Sequence, residues 1–233
     1  MSYLQKISRY GKSQLQLIIR GEFVRFFQNI SQFFPKWLFK VSSGVLLKTD
    51  SPRIIYRKYQ NYVFEMAKDS DLIEIAQLST IPESVLKSRL ALGDECCITR
   101  DIANAGRIVN VLWIHQGPCY IKGLGLDLRL KDNSVYLYGS YTDPEARMKG
   151  IFNTAFKFVY DTLVERGISS ITGVVEGWNH NAYNTHLRLN FKPIAKIVYV
   201  VVFFIRTSVI TDLETQRKRT RICVTFPKDR VLI

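Results

Sequence analysis

No uninterrupted apolar run in this chain exceeds nine residues, Ile197 to Ile205, whereas roughly 20 are needed to cross a bilayer as a helix. That excludes a helical membrane span, and the run is expected to be a buried strand. Residues 1–10 carry Lys6 and Arg9 without a long apolar core or a small-residue cleavage site, so no secretory leader is expected. Cysteine is scarce: Cys96, Cys97, Cys119 and Cys223 form no C-x-x-C and no Cys/His ligand spacing. A zinc site and a disulfide framework are therefore not expected, and the four read as reduced core thiols of a cytoplasmic protein. Histidine numbers three, and no Ser/His/Asp or Cys/His nucleophile pattern surrounds any of them. Low-complexity segments and internal repeats are absent.

Acidic side chains are also in short supply, 20 against 33 Lys and Arg. The imbalance is uneven, for residues 1–60 hold eleven cations and two acids, nine of the net +13. Such asymmetry points to an anionic partner. No helix-turn-helix, zinc or RNP-type pattern is present, so nucleic acid is not the expected one. What is abundant is apolar material, 47% of 233 residues, enough for one well-filled core plus an appendage.

The most ordered stretch runs from Val135 to Phe191. Val135–Tyr141 alternates as a strand and stops at Asp143-Pro144. Ile151, Phe152, Ala155, Phe156, Val159, Leu163 and Val164 then recur at helical spacing until Gly167, a helix of about four turns. Between them Arg147-Met148-Lys149-Gly150-Ile151-Phe152 forms a cationic turn at a helix N-terminus, where free backbone N–H groups can meet phosphate. Ser169–Val175 is a second strand. Asn179 to Phe191 reads as a short helix with Asn179 as N-cap and Asn190 at the left-handed C-terminal position.

This order of strand, R-x-x-G loop, helix, strand and N-x-x-A helix resembles the heart of the GNAT superfamily of acyl-CoA-dependent N-acyltransferases. There the loop matches R-x-x-G-x-G/A, and the later helix commonly reads N-x-x-A-x-x-L-Y-x-K-x-G-F. Arg147 and Gly150 match the loop; Asn179, Ala182, Arg188 and Phe191 match the helix. Met148, Phe152, Asn190 and His186 depart from the pattern, the last standing where the family often has tyrosine. The resemblance implies an α/β fold, a mixed twisted β-sheet with helices on both faces, and acetyl-CoA as acyl donor with no metal. It implies that N–H groups around Met148, Lys149, Gly150, Ile151, Phe152 and Asn153, with Arg147, meet the pyrophosphate. Tyr141 and Thr142 would bond the pantetheine, and Asn179 would hold the cofactor arm from the other side. His186 would donate a proton to the leaving thiolate, Tyr183 one turn earlier is its reserve, and Glu176 is the base acting through water. The acceptor would be an amine of a small molecule or sugar-like compound.

Ahead of this core, residues 1–50 read as a basic amphipathic extension and 51–233 as the acyltransferase domain. Leu15, Ile18, Ile19, Phe23, Phe26, Phe27, Ile30, Phe33 and Phe34 share one helical face, with Gln14, Arg20, Glu22, Arg25, Gln28, Asn29 and Gln32 opposite. Residues 11–40 are expected to pack on the domain or on a second subunit, or to lie in an anionic lipid surface. A non-catalytic binding protein acting through this helix is the alternative to an enzyme. Further strands are expected at Val41–Thr49, Tyr62–Ala67, Cys96–Asp101, Arg107–Ile114, Lys196–Arg206 and Arg221–Phe226, with an extended run from Tyr120 to Leu130. Helices are expected from Asp71 and over Glu83–Leu92.

Overall fold

Alternating side chains on the strands from Glu95 to Glu176 feed two cores, one on each side of a single sheet, in the computed structural model of the chain. The structure describes residues 14, 17, 22–36, 38–53, 60–203 and 205–224, with only the backbone of residues 223 and 224. Nine strands form the sheet in the order β11-β10-β9-β1-β8-β7-β4-β3-β2. In chain order these are β1 (Phe39–Thr49), β2 (Tyr62–Met66), β3 (Glu95–Asp101), β4 (Arg107–Gln116), β7 (Ser134–Thr142), β8 (Ser170–Glu176), β9 (Lys192–Val202), β10 (Ile205–Asp212) and β11 (Lys218–Val224). Two short strands, β5 (Cys119–Ile121) and β6 (Leu126–Leu128), pair with each other outside it. All neighbours are antiparallel except β7 and β8.

Five helices complete the described chain: α1 (Phe23–Ser31), α2 (Leu72–Ser79), α3 (Glu83–Ala91), α4 (Ile151–Glu165) and α5 (His180–Arg188). The apolar stripe of α4 puts Ala155, Phe156, Val159 and Leu163 onto Leu47, Leu112, Ile114, Val135, Leu137, Ile171 and Val175. Gly167, at φ +77, ends that helix, and the Ile168 N–H reaches back to the Leu163 carbonyl at 3.0 Å. On the other face Leu72, Ile75 and Leu86 of α2 and α3 pack on Cys96, Ile98, Ile108, Val111 and Trp113. The mixed sheet with helices on both faces is thus present, and the helix pair α2–α3 lies where its caps place it.

The N-terminal part is built differently from the sequence expectation. Residues 39–49, read above as part of an appended segment, supply β1, which lies between β8 and β9 and pairs with both. The helix at Phe23–Ser31 starts after Glu22, whose ψ of 51° is not helical, and Leu15, Ile18, Ile19 and Arg20 of the expected stripe lie outside the described residues. The extended run over residues 120–130 is the β5–β6 hairpin, turned at Lys122 to Gly125. The apolar run from Ile197 to Ile205 is not one buried strand. It reverses at Phe203, where φ is +52, so that Ile205 pairs back with Val202. Hydropathy alone does not distinguish a continuing strand from a turn made of apolar residues.

Because β1 is an interior strand, removing its buried anchor should cost a full core substitution. Leu47 is completely buried among α4 and β8 side chains, so Leu47→Ala should destabilise the whole chain by about 2–5 kcal/mol in equilibrium denaturation. A loss near zero would mean that β1 is dispensable to the core.

Candidate functional site

The parallel ladder between β7 and β8 is short. It joins Ser134 to Ser170, Val135 to Ile171, Tyr136 to Thr172 and Leu137 to Gly173, and ends there, although both strands continue. Past this point β7 keeps β4 as its partner and β8 keeps β1. The two strands therefore diverge and leave facing backbone edges without a strand partner. A bulge accentuates the parting: Trp113 pairs with Tyr138 and Val111 with Tyr141, so Leu112 faces both Gly139 and Ser140. Gly139 has φ +57, and a Cβ there would stand 3.1 Å from the Trp113 ring. Only glycine fits both demands.

Beyond β7 the chain makes a tight turn. The Asp143 carboxylate accepts from the Glu145 N–H at 2.9 Å and pairs with Arg107 at 3.2 Å. Arg147 donates from Nε to the Thr142 carbonyl at 3.0 Å, and its guanidinium lies over the Tyr141 ring. Asn110 Nδ2 donates to the Tyr141 carbonyl and to Thr142 Oγ1. Met148, at φ 62, is fully exposed, and Lys149 is exposed beside it. Gly150 caps α4 in the left-handed region, φ 80, and supplies no side-chain acceptor. The N–H groups of Ile151, Phe152 and Asn153 therefore have no carbonyl one turn earlier within α4. The structure brings Tyr141, Thr142, Arg147 and the Gly150 cap together at one end of the divergence.

Helix α5 brings the other group. The Asn179 side chain accepts from the Ala182 N–H at 3.0 Å, as an N-cap should. Asn190 adopts φ 65 and ends the helix. His186 is packed between Phe152 and Phe191, with ring centroids at 5.8 and 5.0 Å. Its Nε2 lies above Gly173, the last paired residue of β8, 3.8 Å from where a Cβ would sit. Its Nδ1 is 2.8 Å from the Ala182 carbonyl. A carbonyl only accepts, so Nδ1 carries the hydrogen and Nε2 of the neutral ring has a lone pair. Burial holds this imidazole below its ordinary 6.5, the bond to Ala182 offsetting part of that. In this form Nε2 accepts protons; it does not deliver one to a thiolate.

A cavity of about 600 Å³ lies around the end of β8. Along β8, Val174 and Glu176 line it, whereas Gly173 and Val175 face His186 and the α4 core. Its other walls are the polar side of α1 (Arg25, Gln28, Asn29 and Gln32), Ser42 and Ser43 of β1, Tyr136, and Leu124 of the β5–β6 turn. Ser43 Oγ donates to Gln28 Oε1 at 3.2 Å and ties α1 to β1. The sequence reading passed over this wall because it takes residues far apart in the chain. It also missed a polar cluster beside it. His115, without a partner in sequence, has Nδ1 2.5 Å from Asp94, and Tyr138 donates to the other oxygen of that carboxylate at 2.5 Å. Tyr136 stacks on Tyr138 at 5.5 Å. Burial pushes the phenol of Tyr138 above its ordinary value, and the bond to Asp94 adds to that.

The His186 assignment has a direct check. A histidine whose folded value lies below 6.5 adds no pH dependence above 6.5, where both states are neutral. Below it the unfolded chain takes up a proton that the folded chain refuses, so stability falls with pH until the folded value is reached. Long-range proton–nitrogen correlation at neutral pH should show His186 with Nδ1 protonated and Nε2 bare, titrating below 6.5. An Nε2–H tautomer, or titration above 6.5, would contradict the geometry.

By sequence the chain matches no protein-family model and no curated protein. As a fold it is similar to a GNAT-family protein from Novosphingobium aromaticivorans assigned as an acetyltransferase, with TM-score 0.51 and 15% identity over 68% of this chain and 63% of that one. A conserved protein of unknown function from Staphylococcus epidermidis gives 0.50 at 10% identity, covering 75% of this chain and 65% of that one. A Drosophila protein gives 0.52 at 9% identity, covering 81% and 58%. The chain thus spans less than two thirds of the length of each. What is common to them at such identities is the backbone arrangement, and the mixed sheet with its single diverging parallel pair, flanked by helices on both faces, is the GNAT fold.

Proposed function

We propose that the chain transfers an acyl group, acetyl in the first instance, from coenzyme A to the amine of a small polar acceptor. The observation that carries this reading is the end of β7–β8 pairing at Leu137 and Gly173, directly before a cationic turn and an uncapped helix N-terminus. Diverging strands offer unpaired backbone groups to an extended amide-bearing chain such as pantetheine. The N–H groups from Ile151 to Asn153, the dipole of α4 and the exposed Lys149 suit a pyrophosphate. Arg147 also braces the turn, since its Nε bonds the Thr142 carbonyl and its guanidinium lies over the Tyr141 ring. Asn179 acts through its cap, made by Oδ1, which orients α5, and its Nδ2 is left to donate to the cofactor arm.

The acceptor would enter from the cavity on the Glu176 side of β8. Its amine nitrogen attacks the thioester carbonyl carbon, the C–N bond forms and the C–S bond breaks. The Glu176 carboxylate, directly or through water, takes the proton released by the amine. The departing thiolate takes its proton from the Tyr183 hydroxyl, on the same helix one turn before His186. His186 accepts at Nε2 over Gly173 from the amide N–H of the cofactor arm next to the sulfur, and so holds the thioester near the last paired residues. Serine, glutamine, asparagine and arginine side chains around the cavity suit a hydroxyl- and amide-rich acceptor such as an amino sugar.

Acetyl-CoA at 100 times its dissociation constant should stabilise the chain by about 2.7 kcal/mol, a rise of ~5–10 °C in Tm for a chain of this size. Gly150→Asn, which tolerates positive φ but adds a side chain at the helix start, should remove that rise while leaving the unliganded Tm within a few degrees. Glu176→Gln should keep the rise and lower kcat/KM roughly 100-fold toward any amine accepted. A wild-type chain that acetyl-CoA does not stabilise would return the protein to the non-catalytic alternative.

A further inference from the structure

The N-terminal helix presents its two sides in an unusual sense. Gln28, Asn29 and Gln32 look into the cavity, while Phe23, Phe27 and Phe34 are 55%, 45% and 44% exposed. A second element continues that apolar surface. Phe27 and Phe34 each meet the ring of Phe39, at 6.5 and 5.9 Å. Phe39 pairs with Val202, Val202 with Ile205, and the Phe203 N–H donates to the Leu38 carbonyl at 2.8 Å. The β9–β10 reversal between Val202 and Ile205 is a two-residue hairpin tip, where glycine, asparagine or aspartate is the usual occupant. Here the described occupant is Phe203. Phe203 stands at φ +52 with 56% of its surface exposed, beside Val202 and Ile205 at 42% and 49%. A bulky aromatic in the left-handed region at an exposed tip is unfavourable for folding on both counts. It has a use only if something else takes up the ring.

Charge beside the patch decides what that is. Lys40 and Arg206 flank Val201 in adjacent strands, one row behind Phe39, Val202 and Ile205 and on the opposite face of the sheet, where Lys40 donates to the Gly123 carbonyl and lies over the Tyr199 ring. Lys36 is exposed in the loop after α1, and Arg25 on α1 is held by Glu22 at 3.3 Å. Burial holds the Lys40 ammonium below its ordinary 10.5, the positive charges of Lys36 and Arg206 push the same way, and Glu176 opposes them. Three like charges thus stand close to one another, one step behind the aromatic tip. Two copies joined through this tip would bring those cations together. Headgroups of an anionic bilayer would neutralise them while the phenylalanines enter the interface.

We infer that the face formed by α1 and the β9–β10 tip docks on an anionic lipid bilayer. Docking leaves the polar underside of α1 on the acceptor cavity, so the site sits next to the lipid surface. The full chain should co-sediment with vesicles of phosphatidylcholine and phosphatidylglycerol at 0.1 M salt, and much less at 1 M, where the Debye length shortens from about 10 Å to about 3 Å. Phe203→Asn places a residue at ease in the left-handed region, so it should leave Tm unchanged or raised and weaken vesicle partitioning about tenfold. Phe23→Gln, at the exposed start of α1, provides an independent variant with the same expected loss. Absence of vesicle binding by the wild-type chain at 0.1 M salt would overturn the inference. So would binding that neither variant weakens, or a dimer in solution that Phe203→Asn dissociates, which would assign the face to a second copy.

Discussion

A parallel pair of strands that parts after four rungs is the constraint on which the rest of the molecule depends. Backbone groups inside a sheet must find partners, and past Leu137 and Gly173 neither β7 nor β8 can use the other. Each is held instead from its far side, β7 by β4 through the Gly139 bulge and β8 by β1. The separation is therefore built into the flanking pairings and persists without a ligand. The turn at Asp143, the Gly150 cap and the His186 ring all take their positions from its edges.

The strand β1 extends this logic. It pairs with β8 only from Gly44 to Thr49, while its first half, Phe39 to Ser43, pairs only with β9. The side of β1 that β8 leaves open is met by α1, through Gln28 on Ser43 and the phenylalanines on Phe39. One helix thus closes a polar cavity and carries an aromatic exterior. An amphipathic pattern in sequence says that two sides differ; it does not say which side faces the protein.

Local signals in the sequence were legible where the physics is local. The turn at Asp143-Pro144, the four-turn helix ended by Gly167, the Asn179 cap and the left-handed Asn190 all follow from short-range hydrogen bonding and steric preference, and all are present. What escaped detection depends on long-range pairing. Residues 39–49 looked peripheral because their partners lie some 120 to 160 residues later. The reversal at Phe203 escaped because no glycine, asparagine or proline marks it. Asp94 and His115 are 21 residues apart and meet only through the β3–β4 pairing. The role expected of His186 changed for a local reason that sequence could have supplied: a helical histidine four residues after a carbonyl can donate Nδ1–H to it, leaving Nε2 an acceptor.

The central claim is that the parted strands and the α4 N-terminus together hold an acyl-CoA. Backbone hydrogen exchange of the whole chain, with and without coenzyme A, reports on those amides directly. The account predicts slowed exchange at Ile151, Phe152 and Asn153 and along residues 138–142 of β7, with little change on α2 and α3. Binding of coenzyme A that leaves the first turn of α4 exchanging as before would contradict it.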